Sequence, residues 1–156
     1  MIKRRSRQTG FTLIELMVTL AMMVIVLAIG IPAFKSLQQN SNRTARINEL
    51  VAAIQLARSE AVKRGTSISI IPNTNWQNGW TVFTDPDKDR TLDSGETVIR
   101  TAAVTSPNYT MTSAAYANGI TFDSKGAPQA TGSFQFSQNG KTRTIDINTT
   151  GRPRIH

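Results

Sequence analysis

The chain has no cysteine. That removes disulfide frameworks, thiolate metal sites and cysteine nucleophiles together, and it leaves the redox compartment unmarked. Histidine is nearly absent as well. The single one, His156, is the last of 156 residues. Histidine acid–base chemistry and multi-histidine metal centres are poor organising themes for such a chain. The carboxylates gather in one loop, so no nucleophile–base pair can be named; neither an enzyme nor a cofactor is expected. Acid is the minority charge, with 10 Asp and Glu against 18 Lys and Arg, a net of +8.

The apolar residues are distributed unevenly. Residues 1–10 read MIKRRSRQTG, with Lys3, Arg4, Arg5 and Arg7 and no acid. Residues 11–31 read FTLIELMVTLAMMVIVLAIGI, in which Glu15 is the only charge. At about 1.5 Å per residue this run makes a helix of roughly 31 Å, enough to cross a bilayer. It is apolar all round, whereas a core helix of a globular domain keeps a polar face. The basic leader predicts that the residues before Phe11 stay cytoplasmic and the rest is exported. A secretory signal cut after the apolar run fits less well, because Pro32 lies between the small residues Gly30 and Ala33.

The run Gly10-Phe11-Thr12-Leu13-Ile14-Glu15-Leu16 resembles the class III signal of type IV pilins and pseudopilins. The resemblance implies cleavage by a prepilin peptidase between Gly10 and Phe11 and methylation of the new N-terminus at Phe11. Pro32 falls where such chains commonly carry a helix-breaking proline, which predicts an interruption near residues 30–32. Glu15 also has a physical argument of its own. A carboxylate within a membrane helix costs roughly 3 kcal/mol and is tolerated best with a partner. In the resembled family the partner is the N-terminal amine of a neighbouring subunit in the filament, so Glu15 is expected to pair with the Phe11 amine of its own or a neighbouring subunit during assembly.

From about residue 35 the pattern turns amphipathic. Ile47, Leu50, Val51, Ile54, Ala57 and Ala61 recur at helical spacing, with Arg43, Arg46, Glu49, Arg58, Glu60 and Lys63 on other faces. Lys63-Arg64-Gly65 suits a helix C-terminus. Beyond it, Thr, Ser, Asn and Gly dominate, and strand-like runs are predicted at 67–71, 80–83, 97–101, 119–122, 133–137 and 142–147. Asn139-Gly140 marks the clearest hairpin, between the last two runs. The expected class is α+β: a long N-terminal helix, with a membrane-spanning half and an amphipathic half, packed on antiparallel β-sheets, pilin-like. The expected divisions are 1–10 leader, 11–31 transmembrane and assembly helix, 32–65 amphipathic half, and 66–156 β-rich domain with a basic C-terminal tail.

Several blocks in the second half are similar to the GspH/FimT family of minor pilins. They are Leu56-Ala57-Arg58-Ser59-Glu60-Ala61-Val62-Lys63-Arg64-Gly65, Asn78-Gly79-Trp80-Thr81-Val82-Phe83-Thr84-Asp85, Leu92-Asp93-Ser94-Gly95-Glu96, Val98-Ile99-Arg100 and Gly119-Ile120-Thr121-Phe122. Residues 102–118 match no block.

Two constellations carry candidate chemistry. The first is acidic: Asp85, Asp87, Asp89, Asp93 and Glu96 occupy positions 1, 3, 5, 9 and 12 of a calcium-loop template. Arg90 stands where that template needs glycine, and the flanks are strand-like, so the expectation is a solvated acidic turn and no metal. The second is basic. Five cations and one acid, Asp146, lie between residues 125 and 156. Lys141 and Arg143, two apart on a strand, share a face. Arg152 and Arg154 are two apart around Pro153, which favours an extended backbone. Guanidinium forks suit phosphate oxygens. Gly151-Arg152-Pro153-Arg154 resembles the C-terminal Gly-Arg-x-Arg motif of FimT-type minor pilins that bind DNA during natural transformation. The resemblance implies DNA contacts from Gly151, Arg152 and Arg154, with Lys141 and Arg143 supporting.

Trp76, Trp80, Tyr109 and Tyr116 are the aromatics that could stack on bases; Trp80 is expected in the core, while Trp76 and Tyr116, in loop-like stretches, remain open. The expected function is a minor type IV pilin that binds extracellular double-stranded DNA without sequence specificity, for uptake in natural transformation. Its expected partners are DNA, other major and minor pilins, and the prepilin peptidase. It would sit in the inner membrane first, with its globular domain periplasmic, and then in the surface pilus. The alternative is a structural pilus-priming minor pilin or type II secretion pseudopilin acting only in filament assembly.

Overall fold

The computed structural model describes residues 10–104 and 109–156; residues 1–9, nearly the whole expected leader, lie outside the described residues. It divides into two compact units, Met1–Asn42 and Arg43–His156. One helix, α1 (Leu13–Arg64), contributes to both.

In the first unit the helix begins with a threonine N-cap. Thr12 Oγ1 accepts the backbone N–H of Glu15 at 3.2 Å, and Glu15 is the acid of the first turn. The carboxylate therefore complements the helix dipole locally, a role that the membrane argument alone does not reveal. The apolar side chains that follow are exposed throughout, from Leu13 at 77% to Ile29 at 70%. The run is long and apolar enough to span a bilayer, with a mean hydropathy of 2.6 in its most apolar window. The expected break at residues 30–32 is absent: α1 runs through Pro32. A proline removes one helix N–H and crowds one carbonyl, but the turns on either side keep their hydrogen bonds.

The second unit is built on the other half of α1 and two four-stranded antiparallel sheets. The first sheet has the order β3 (Val98–Ala103), β2 (Gly79–Thr84), β1 (Ile68–Pro72), β5 (Ile120–Phe122). The second has the order β4 (Thr110–Thr112), β6 (Gly132–Gln138), β7 (Lys141–Ile147), β8 (Pro153–Ile155). Ile47, Leu50, Ala53, Ile54, Ala57 and Ala61 form the buried stripe of α1, as the helical spacing predicts. They share one core with Ile68, Ile70, Trp80, Val82 and Ile120 of the first sheet and Phe134, Phe136, Ile145 and Ile147 of the second. Arg43, expected on a polar face, is instead only 9% exposed.

All six predicted strands are present, with shifted ends. The hairpin β6–β7 turns on Asn139 and Gly140, at φ 52° and 72°, the left-handed pair that a two-residue turn requires. Two strands, β4 and β8, were not predicted. Each is only three residues long, too short to display an alternation. β8 also opens on Pro153, tolerated at the start of an edge strand because no ladder N–H is needed there.

Trp76, Tyr109 and Tyr116 are buried, at 3%, 7% and 2% exposure, which removes all three as base-stacking groups. A single 3₁₀ turn, Trp76–Asn78, capped by Asn75, aims Trp76 inward. Its indole donates to the Tyr116 carbonyl at 2.8 Å, and its ring meets Phe134 edge-on at 4.7 Å. Tyr109 stacks on Phe136 at 4.5 Å. Loop composition suggested exposure, but a large aromatic with one polar atom to satisfy gains more by burial.

Candidate nucleic-acid interface

The basic C-terminus is an ordered edge strand and its turn, where the sequence had suggested a tail. β8 pairs antiparallel with β7, setting Asp146 opposite Arg154 and Ile147 opposite Pro153. The turn between them is built on Asn148. Its Oδ1 accepts from Thr150 N, Thr150 Oγ1 and Arg152 N, at 3.1, 2.8 and 2.9 Å. Gly151 adopts φ +74°, and a Cβ there would stand 2.7 Å from the Gly126 carbonyl oxygen and 3.2 Å from Arg58 Cδ. Only glycine fits such a seat. The glycine of the Gly-Arg-x-Arg run thus docks the turn against the 123–126 loop and α1, and holds Arg152 at the surface.

Directly opposite residues of an antiparallel pair point to the same face, and neighbours along a strand alternate. Arg154 therefore shares the outward face of the second sheet with Asp146 and Thr144. Lys141 and Arg143 share the parity of Ile145 and Ile147, which are buried. The two basic pairs are exposed but project to opposite faces, so the four cations do not form one patch. Two nearer cations were not singled out from sequence. Lys125 is exposed in the loop that receives Gly151, and Arg58, half-buried, donates Nε to the Gly126 carbonyl at 3.2 Å. Sixty-eight residues separate that pair in sequence, so no local pattern signals it.

Charge pairing distinguishes the available cations further. Lys63 and Arg64 are tied to Glu60 at 3.5 and 2.6 Å, and the hydrogen bond from Arg64 holds the Glu60 carboxyl below its ordinary range. Among the described residues, Arg152 and Arg154 have no ion pair. Asp146 is engaged by His156 Nε2 at 3.2 Å, an ion pair when the imidazole is protonated.

The acidic loop is smaller than the five-residue template. One oxygen from each of Asp85, Asp87 and Asp89 lies within 4.8 Å of the others. Asp93 and Glu96 form a separate turn, Glu96 Oε2 accepting from Asp93 N at 2.9 Å. The hydrogen bond with the Asp85 carboxylate pushes the Asp87 carboxyl above its ordinary range. Arg90, at the position that wants glycine, takes φ +64° itself.

A membrane-length N-terminal helix whose far half packs under antiparallel sheets is the architecture of a pilin. The comparisons agree. The model for the type II transport protein GspH matches residues 46–151, and the prokaryotic N-terminal methylation motif matches residues 5–31. The chain belongs to the GspH family and is a type IV minor pilin or pseudopilin. It is 26% identical over 153 residues to the pilin-like protein PilA1 of Thermus thermophilus, covering 94% of this chain and 97% of that one. The crystal structure of the type IV minor pilin FimU of Pseudomonas aeruginosa PAO1 superposes with a TM-score of 0.61 at 25% identity, over 77% of this chain and 92% of FimU. A second crystal form of FimU gives 0.58 at 26% identity, over 72% and 91%. These families are structural and non-enzymatic, and they imply processing by a prepilin peptidase and assembly with other pilins.

Proposed function

We propose that this minor pilin binds extracellular double-stranded DNA without sequence specificity and supports DNA uptake in natural transformation. One observation carries the reading: the Gly151-seated turn presents Arg152, two residues from Arg154 on an exposed edge strand, and neither guanidinium is neutralised among the described residues. The family match ends at residue 151, so the arginines are read from this chain's own geometry. Two unpaired guanidiniums on a fixed edge suit phosphate oxygens and read no bases. Lys125 and Arg58 belong to the loop and the helix against which the turn is docked. Lys141 and Arg143, on the other parity, contribute long-range field rather than contacts.

The same reading has Phe11 exposed as the methylated N-terminus after cleavage at Gly10, with Glu15 pairing to that amine in the filament. The subunit waits in the inner membrane, its globular unit periplasmic, before it enters the pilus. Replacement of Glu15 by Leu is expected to lower incorporation into pili; normal incorporation removes the pairing.

The test of DNA binding uses the full chain in detergent micelles, titrated with duplexes of unrelated sequence at several salt concentrations. Binding is expected to be sequence-independent and lost when Arg152 and Arg154 are both replaced by Gln. Two phosphate contacts predict a slope of log K against log salt of about −1.8, and four predict about −3.6. Binding unchanged in the double variant sinks the assignment. Absence of binding by the folded wild type at low salt leaves the assembly role alone.

A further inference from the structure

We propose that the Asp85–Asp87–Asp89 loop is a calcium site. Three acids in a row are ordinarily only a solvated turn, and what separates this loop from such a turn is Asp85. It is 0% exposed, yet Oδ1 has no hydrogen-bond partner. The hydrogen bonds that Ser69 Oγ and, at 3.2 Å, Arg90 N donate to it both fall on Oδ2. A buried carboxylate oxygen left bare is costly, and such orphans call for an unseen partner. Two further carboxylates stand close to this buried one: one oxygen from each of Asp85, Asp87 and Asp89 lies within 4.8 Å of the others. Among the described residues, none of the three is in a salt bridge. Arg90, the nearest candidate to neutralise them, is turned elsewhere, to Thr121 Oγ1 at 3.2 Å and Gln129 Oε1 at 2.7 Å.

Three hard anionic oxygens converging on one point suit a hard divalent cation. Calcium fits better than magnesium, because it accepts six to eight oxygens in loose geometry and can complete its shell with water on the exposed side of Asp87 and Asp89. With three protein carboxylates the affinity belongs to the weak class of extracellular modules, about 0.1–1 mM. The bound ion ties the end of β2, where Asp85 sits, to the loop that leaves it. This site is separate from the DNA edge and does not rest on that reading.

The experiment is calorimetric titration of the full chain in detergent micelles at pH 7.5 with calcium chloride, beside thermal unfolding with calcium or with magnesium at matched ionic strength. Expected are a saturable heat and a raised unfolding midpoint with calcium. D87N and D89N, both at exposed positions, weaken the apparent affinity more than about tenfold, and D93N does not. No heat and no midpoint shift in the wild type at 10 mM calcium (about ten times the weakest expected dissociation constant) overturn the proposal. So does an equal response to magnesium, which is screening, or a response kept in the D87N/D89N double variant.

Discussion

The two sheets of the globular unit share one core, but their outward faces are handled in opposite ways. On the first sheet the outward row is Phe83, Ser69 and Thr121, paired across β2, β1 and β5, and all three are 0% exposed. The chain after β2 folds back over this face and binds it through a relay. Arg90 donates to Thr121, Thr121 shares a hydrogen bond of 2.7 Å with Ser69, and Ser69 donates to Asp85. On the second sheet the outward face, with Thr112, Gln135, Thr142, Asp146 and Arg154, stays largely in solvent. A face sealed by its own loop is spent on stability. A face left open, with Arg154 on its last strand outside any ion pair among the described residues, is available to a ligand.

The largest effect that would break this contrast is at the seat of the open edge. Gly151→Val places a branched side chain at φ +74° and 2.7 Å from a carbonyl oxygen. Strain and overpacking together should cost about 3 kcal/mol, read by thermal or denaturant unfolding. Gly140→Ala is the matched control. It has φ +72° but nothing within 4 Å of the new Cβ, so about 1 kcal/mol is expected. Equal losses at both positions would mean that the turn is not docked. On the sealed face, Ser69→Ala removes a donor to Asp85 Oδ2 and leaves that buried oxygen with Arg90 N. About 1–3 kcal/mol of stability should be lost, without change in DNA affinity.

The architecture was legible in the sequence wherever the signal was periodic. The apolar run, the helical stripe from Ile47 to Ala61 and the Asn139-Gly140 hairpin each declare themselves within a short window. What was hidden is whatever pairs across distance. β4 and β8 are strands because β6 and β7 offer them edges, not because three residues alternate. Trp76 is buried because Tyr116, forty residues away, accepts its indole N–H. The arginines were visible as residue types. Their separation from Lys141 and Arg143 was not, because it depends on the β7–β8 register: pairing Asp146 with Arg154 fixes the parity of all four. For the acidic loop, the template supplied five residues by spacing, and the backbone kept three.

The smallest expected effect tests the open face most directly. Asp146 lies on the outward side of β7, opposite Arg154 and 3.2 Å from His156. Its side chain is 52% exposed, so replacing it should change stability little. Its charge, however, sits where a phosphate would approach Arg154, and it repels that phosphate while attracting the cations meant for it. Asp146→Asn should therefore tighten DNA binding about two- to five-fold at low salt, the scale of one partly exposed charge interaction. The gain should shrink as salt rises and the Debye length falls below about 10 Å. Removal of charge at Lys141 and Arg143, on the other parity, should weaken binding by no more than a similar factor. If Asp146→Asn were neutral and the Lys141/Arg143 change decisive, DNA would have to approach from the opposite parity. The open face would then be open for some other reason.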